Sequence, residues 1–269
     1  MSSDQRFRID RIGAGERREQ WLRALGEFSP DETLKEEGAA WVYRGRMLGR
    51  EVVVKVREVR SPADRLKVAV GAGRGRRHWQ GASWLLEHGF ATARPIVLAM
   101  ERGSAAREWL VMEALPGASL LRHIADGDLG VREQHALARA VGRQVAALCA
   151  AGRFNRDHKP SNLIVSRRGG EFVVSIIDCV AIRRGGEGAV RMLHALAVEP
   201  TGLRILPRRA VLARVIASVV EAELGGRQAR SAMRGARRAY WGLVTESLRR
   251  HGDATPRTNP LAQGPSALR

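Results

Sequence analysis

Two runs rich in β-branched and aromatic residues, AAWVYRGRML and EVVVKVREV, flank a turn at Gly49-Arg50 and predict an antiparallel hairpin over residues 38–57. Strand alternation puts Val53 and Lys55 of the second run on one face. EWLVMEAL (108–115) predicts a further strand, broken by Pro116-Gly117. LIVS (163–166) and FVVSII (172–177), joined by Arg-Arg-Gly-Gly, predict a second hairpin. Helical spacing is clearest over 131–151, where Leu137, Val141, Val145 and Leu148 share one face. HWQGASWLLEHG predicts a shorter helix with Gly89 as its C-cap. In 209–224 the pairs Val211/Leu212, Val215/Ile216 and Val219/Val220 form a stripe, read as an ordinary core helix rather than a membrane-lying one. Residues 1–27 read as a charged, partly helical extension, 71–77 as a Gly/Arg loop, and 253–269, with three prolines, as a loose tail. The elements sum to an α+β chain with a small β-rich lobe over 28–115 and a mainly helical lobe over 116–252.

The 269 residues are ample for one large domain or two lobes, and 44% apolar with 28% charged residues excludes a disordered or fibrous chain. Cys149 and Cys179 are too few for a disulfide framework, and no Cys/His cluster has zinc spacing. The start, MSSDQRFRID, lacks a signal-peptide apolar core, and no apolar run approaches a membrane span. A cytoplasmic protein is expected, peripheral on the membrane's inner face if it touches one. Lys and Arg number 46 against 28 acids, a net charge of +18 that calls for an anionic partner. Residues 201–269 carry thirteen arginines against four acids, a net of +9. Arg204, Arg208, Arg209, Arg227, Arg230, Arg234, Arg237 and Arg238 are candidates for contact with anionic lipid or phosphosugar. Nucleic acid is not the expected partner, because basic–aromatic interleaving, an RNP-like strand and finger spacing are all missing. Only Lys35, Lys55, Lys67 and Lys159 are lysines, so each stands out.

The candidate chemistry lies in Asn155-Arg156-Asp157-His158-Lys159-Pro160-Ser161-Asn162, followed by Asp178. A hairpin turn centred near Gly169 pairs residues whose numbers sum to about 338–340, by antiparallel pairing rules. Asn162 then lies opposite residue 177, and its amide oxygen emerges beside the Asp178 carboxylate. One carboxylate and one amide oxygen, completed by phosphate oxygens and water, suit Mg²⁺ beside a nucleotide. Asp157 is placed to accept a proton from an attacking hydroxyl, and Lys159 to offset charge on a phosphoryl group in transit. His158, read as an exposed loop residue, is given no role. Gly71, Gly73 and Gly75 are not a dinucleotide fingerprint, since their spacing is G-x-G-x-G and no βαβ unit surrounds them.

This run resembles the protein-kinase catalytic loop H-R-D-x-K-P-x-N, and Asp178-Cys179-Val180 resembles the D-F-G position. Val52-Val53-Val54-Lys55 is similar to the V-A-I-K strand, which implies Val53 over the adenine and Lys55 on the α/β-phosphates. Glu113-Ala114-Leu115 resembles the hinge whose backbone binds the adenine edge, and Gly38 the tip of the nucleotide-covering loop. Within that superfamily the layout is similar to the bacterial lipopolysaccharide kinases of the Kdo/WaaP type: a strand like WVYRGRMLGREVVVKV, an aromatic-x-x-x-x-Leu-Leu-x-x-Gly helix, Pro95, the loop, and an Arg-rich helical ending. The resemblance implies a protein-kinase-like bilobal fold, ATP and Mg²⁺ as cofactors, and an anionic glycolipid or phosphosugar as acceptor. A monomer is expected.

No Ser, Thr or Tyr occurs between Asp178 and Pro200, so an activation loop ordered by phosphorylation is excluded there. Val198-Glu199-Pro200 is at best a distorted A-P-E. Two departures stand out: Asn155 replaces the His of H-R-D, and His78 falls where a glutamate should pair with Lys55, leaving Glu87 as the only acid in that predicted helix. The rival readings are a Ser/Thr protein kinase, from the literal Lys-Pro-x-Asn, and a catalytically weak ATP-binding pseudokinase or membrane adaptor, from His78 and Asn155.

Overall fold

The computed structural model describes residues 6–103, 105–185, 188–203, 205, 208–225 and 230–251. The expected tail (253–269), Arg204 and Arg227 lie outside them. The chain divides into two compact units, Met1–Leu115 and Pro116–Arg269.

Unit 1 is built on a six-stranded sheet in the order β1-β5-β6-β4-β3-β2. Its strands are β1 (Phe7–Ile12), β2 (Pro30–Glu37), β3 (Ala40–Met47), β4 (Arg50–Glu58), β5 (Pro95–Glu101) and β6 (Arg107–Glu113). The predicted hairpin is β3–β4, with Ala40 opposite Arg57 and Met47 opposite Arg50. Its two-residue turn is Leu48-Gly49 rather than Gly49-Arg50, with φ of +49° and +75°. Positive φ at both central positions is the type I′ pattern that follows the strand twist, so Leu48 occupies a conformation that Asn or Gly favours.

Residues 7–27 are not an extension, contrary to the sequence reading. In β1, Ile9 pairs with Ala99 of β5, and helix α1 (Arg18–Glu27) buries Trp21 and Leu25. These side chains join Val52, Val54, Val56, Val97 and Trp109 in a core on one face of the sheet. The opposite face carries Leu98, Leu110, Met112 and Val53, packed with Trp79 of α3 (Arg74–Glu87). The expected loop at 71–77 is also corrected, since helix α2 (Pro62–Ala69) precedes it and α3 begins within it. Gly75 permits this start: a Cβ there would stand 2.6 Å from Leu98 Cδ1 and 2.7 Å from Glu108 Cδ, so the helix lies close on the sheet.

Unit 2 is mainly helical. Its helices are α4 (Leu120–Asp126), α5 (Val131–Ala150), α6 (Gly188–Gly202), α7 (Arg209–Leu224) and α8 (Arg230–His251). The face predicted for α5 is buried, with Leu137, Val141, Val145 and Leu148 at 5% exposure or less. It packs on α7, where 215–220 are buried, so α7 is a core helix as expected. Gly142 marks the crossing, where a Cβ would sit 2.5 Å from the Val215 carbonyl oxygen and 2.7 Å from Ser218 Cβ. Two small sheets complete the unit: β7 (Ala118–Ser119), β9 (Leu163–Arg168) and β10 (Glu171–Ile176) form one, β8 (Arg153–Asn155) and β11 (Ile182–Arg184) the other. Among the described residues, no helix is long and apolar enough to cross a membrane. The molecule is α+β, β-rich first and helical after.

Candidate active site

The loop between β8 and the β9–β10 hairpin is held at both ends by backbone pairing. Asn155 lies opposite Ile182 in the β8–β11 ladder, and the Arg156 amide donates to the Ala181 carbonyl at 3.0 Å. Asn155 is fully buried, and its Oδ1 accepts the Asp157 amide at 3.1 Å. The residue replacing the H-R-D histidine therefore still fixes the backbone of the acid two positions on. Pro160 opens a 3-10 turn, Pro160–Asn162, closed by the Asn162 amide on the Lys159 carbonyl at 2.9 Å.

Asn162 is the junction of the site. Its Nδ2 donates to both the Asp157 carbonyl and Asp157 Oδ2, each at 3.0 Å. Its own carbonyl accepts the Ile177 amide at 3.0 Å, next door to Asp178. The β9–β10 register runs from Arg168 opposite Glu171 to Leu163 opposite Ile176, every pair summing to 339 as the turn arithmetic predicts. Asn162 and Asp178 thus emerge from the same end of one hairpin. Asp178 caps a second 3-10 turn, Cys179–Ala181, accepting the Val180 amide at 3.3 Å.

Lys159 Nζ stands 3.8 Å from Asp157 Oδ2, with the side chains 32% and 43% exposed. A pair at that distance and exposure is a loose one, and both charges stay within reach of a ligand. The Asn162 amide nitrogen is committed to Asp157, and Oδ1 is the side chain's acceptor atom. An amide oxygen and a carboxylate are hard donors that fit Mg²⁺. No group of three or more His, Cys, Asp or Glu that could hold a metal ion occurs among the described residues.

His158 corrects the sequence reading. Its side chain is fully buried, and neither ring nitrogen meets a hydrogen-bond partner among the described residues. Burial pushes its pKa down to about 4, so it is a neutral core residue and no proton shuttle. Glu199 of α6 was also missed: nearly buried, it accepts the Ser161 amide at 2.8 Å and the Ser161 hydroxyl at 2.6 Å. The Glu-Pro pair noted as a distorted A-P-E was the only signal for it.

The residues assigned to the nucleotide lie in unit 1. Val53 and Lys55 share the α3-side face of β4, opposite Met112 and Leu110 of β6. Gly38 sits at φ +57° in the turn between β2 and β3. At the end of β6 the Glu113 amide donates to the Arg94 carbonyl and the Ala114 amide to the Glu51 carbonyl. Those two amides are therefore taken by the sheet. In α3, His78 is buried at 2% exposure and Glu87 is exposed at the helix end. The carboxylate that meets this helix comes instead from β6, where Glu108 Oε2 accepts the Gly75 amide at 2.8 Å. Burial raises the Glu108 pKa, opposed by that hydrogen bond. Its position at the charged start of an apolar strand gave no warning of this role.

The loop thus gathers an acid beside a lysine and an amide hydrogen-bonded to that acid, with a second acid at the adjoining strand end. The model of the Lipopolysaccharide kinase (Kdo/WaaP) family matches residues 19–184, and the chain belongs to that family. Membership carries lipopolysaccharide kinase activity in the general sense. No curated protein matches the chain.

Proposed function

We propose that the protein transfers the γ-phosphoryl group of ATP to a sugar hydroxyl of a lipopolysaccharide-like glycolipid, working as a cytoplasmic enzyme peripheral on the inner membrane face. The observation that carries the reading is the Asp157–Asn162–Ile177 chain of hydrogen bonds, which ties the acid to the amide and the amide to the strand end bearing Asp178. Asp157 accepts the proton of the attacking hydroxyl as its oxygen bonds to the γ-phosphorus, and ADP leaves with the electrons of the broken P–O bond. Lys159 offsets charge on the phosphoryl oxygens. Asn162 Oδ1 and the Asp178 carboxylate would hold Mg²⁺, which when bound neutralises phosphate charge. Lys55 anchors the α/β-phosphates, Val53 covers the adenine, the Glu113 carbonyl and Leu115 backbone bind its edge, and the Gly38 turn covers the phosphates. Such a site works by positioning and electrostatics, because phosphoryl transfer asks little covalent help.

The acceptor reading rests on family membership and charge. The net charge is +18, and Arg230, Arg234 and Arg238 are exposed on α8. Anionic sugars and phosphates suit such a surface. Incubation with γ-labelled ATP and Mg²⁺ should label purified lipopolysaccharide and leave protein extracts unlabelled. Label in protein alone would replace this reading with a Ser/Thr protein kinase, and label in neither would leave a nucleotide-binding pseudokinase.

A further inference from the structure

Glu199 lies in α6, beyond the residues the family model matches, and is 5% exposed. A carboxylate inside a protein is costly unless strong hydrogen bonds compensate it. Both of its hydrogen bonds come from one residue 38 positions away, Ser161, through the backbone amide and the hydroxyl. The contact resembles a helix cap made from a distance, because it satisfies an amide at the start of the Pro160–Asn162 turn that has no acceptor within the turn. Burial raises the Glu199 pKa, the Ser161 bonds and Lys159 lower it, and Asp157 raises it, so this carboxylate feels both charged loop residues. The next residue after Ser161 is Asn162, whose amide holds Asp157. A shift of the turn is therefore a shift of Asn162 against Asp157.

We propose that Glu199 is a positioning residue for phosphoryl transfer, clamping Ser161 so that Asn162 and Asp157 keep their register. The proposal rests on the phosphotransfer reading above. A misplacement of about 1 Å in such a site can cost about 100-fold in rate. Glu199→Ala should therefore lower kcat about 10- to 100-fold, with the KM for ATP within about threefold. Glu199→Gln, which keeps the shape and an acceptor oxygen, should restore most of the loss. Ser161→Ala should lower kcat in the same direction, and the double variant should be no slower than Glu199→Ala alone, because both substitutions break one clamp.

The full-length variants are assayed with Mg·ATP and purified lipopolysaccharide, beside Asp157→Asn, and amide exchange is followed at residues 161–163. Wild-type kcat in Glu199→Ala, with Asp157→Asn inactive, overturns the clamp and leaves the phosphotransfer reading standing. An Asp157→Asn variant as active as wild type overturns that reading instead, and exchange then decides the clamp. Faster exchange at Ser161 and Asn162 in Glu199→Ala supports it, and unchanged exchange overturns it. Should Glu199→Ala fail to fold, Ser161→Ala against Glu199→Gln makes the same comparison.

Discussion

His158 sits one residue from Asp157, the proposed base, yet its imidazole is buried in the core and stays neutral. The sign of its effect follows from linkage. The unfolded chain takes up a proton near pH 6.5, the folded one only near pH 4, so stability is full above about 6.5 and falls as pH drops toward 4. A gap of that size corresponds to roughly 3 kcal/mol across the window. An apolar residue of similar size removes both the penalty and two orphaned ring nitrogens. His158→Leu should therefore raise the midpoint of urea unfolding at pH 7, and its advantage over wild type should widen by roughly 3 kcal/mol at pH 4. An advantage that does not change with pH would mean that the imidazole finds a partner when protonated. Asn155 teaches the complementary lesson. Its departure from the H-R-D pattern looks like decay, but its side-chain oxygen still holds the Asp157 amide.

At the scale of elements, the α5–α7 crossing is a close approach at Gly142, where a Cβ would stand 2.5 Å from the Val215 carbonyl oxygen. Gly142→Ala adds a methyl that meets a backbone carbonyl, which cannot rotate aside. Overpacking of this kind costs about 1–3 kcal/mol, against a helix-propensity gain of about 1. A lowered melting temperature is expected, and a raised one would show that the helices can separate cheaply. What the chain's own pattern revealed at this scale was local. The β9–β10 register and the buried face of α5 follow from turn residues and from helical spacing, which neighbours in sequence supply. The β1 strand was legible in principle, since Phe7 and Ile9 alternate with Arg8 and Asp10, but the density of charge concealed it. The α3 start at Gly73–Gly75 was not legible, because Gly-Arg repeats read as loop until a sheet is known to lie against them. Long-range polar pairs were not legible either. Nothing in Ser161 or Glu199 by itself says that the two meet, whereas Asn162 and Asp178 could be brought together by counting along one hairpin.

For the whole molecule, each unit brings a distinct part of the account. Unit 1 offers a lysine and a valine on one face of β4. Unit 2 offers the acid, the lysine and the amide on one loop, with the second acid beside them. Membership in the Lipopolysaccharide kinase (Kdo/WaaP) family covers the residues in both sets and stops short of the arginine-bearing C-terminal helices. The most direct test is the transfer rate of Asp157→Asn, which keeps size and hydrogen-bonding atoms while removing the proposed proton acceptor. Phosphoryl transfer from Mg·ATP to purified lipopolysaccharide should fall by about 10²- to 10⁴-fold, with ATP affinity within a few-fold of wild type. Transfer at the wild-type rate would contradict the assignment of this loop as the site of chemistry.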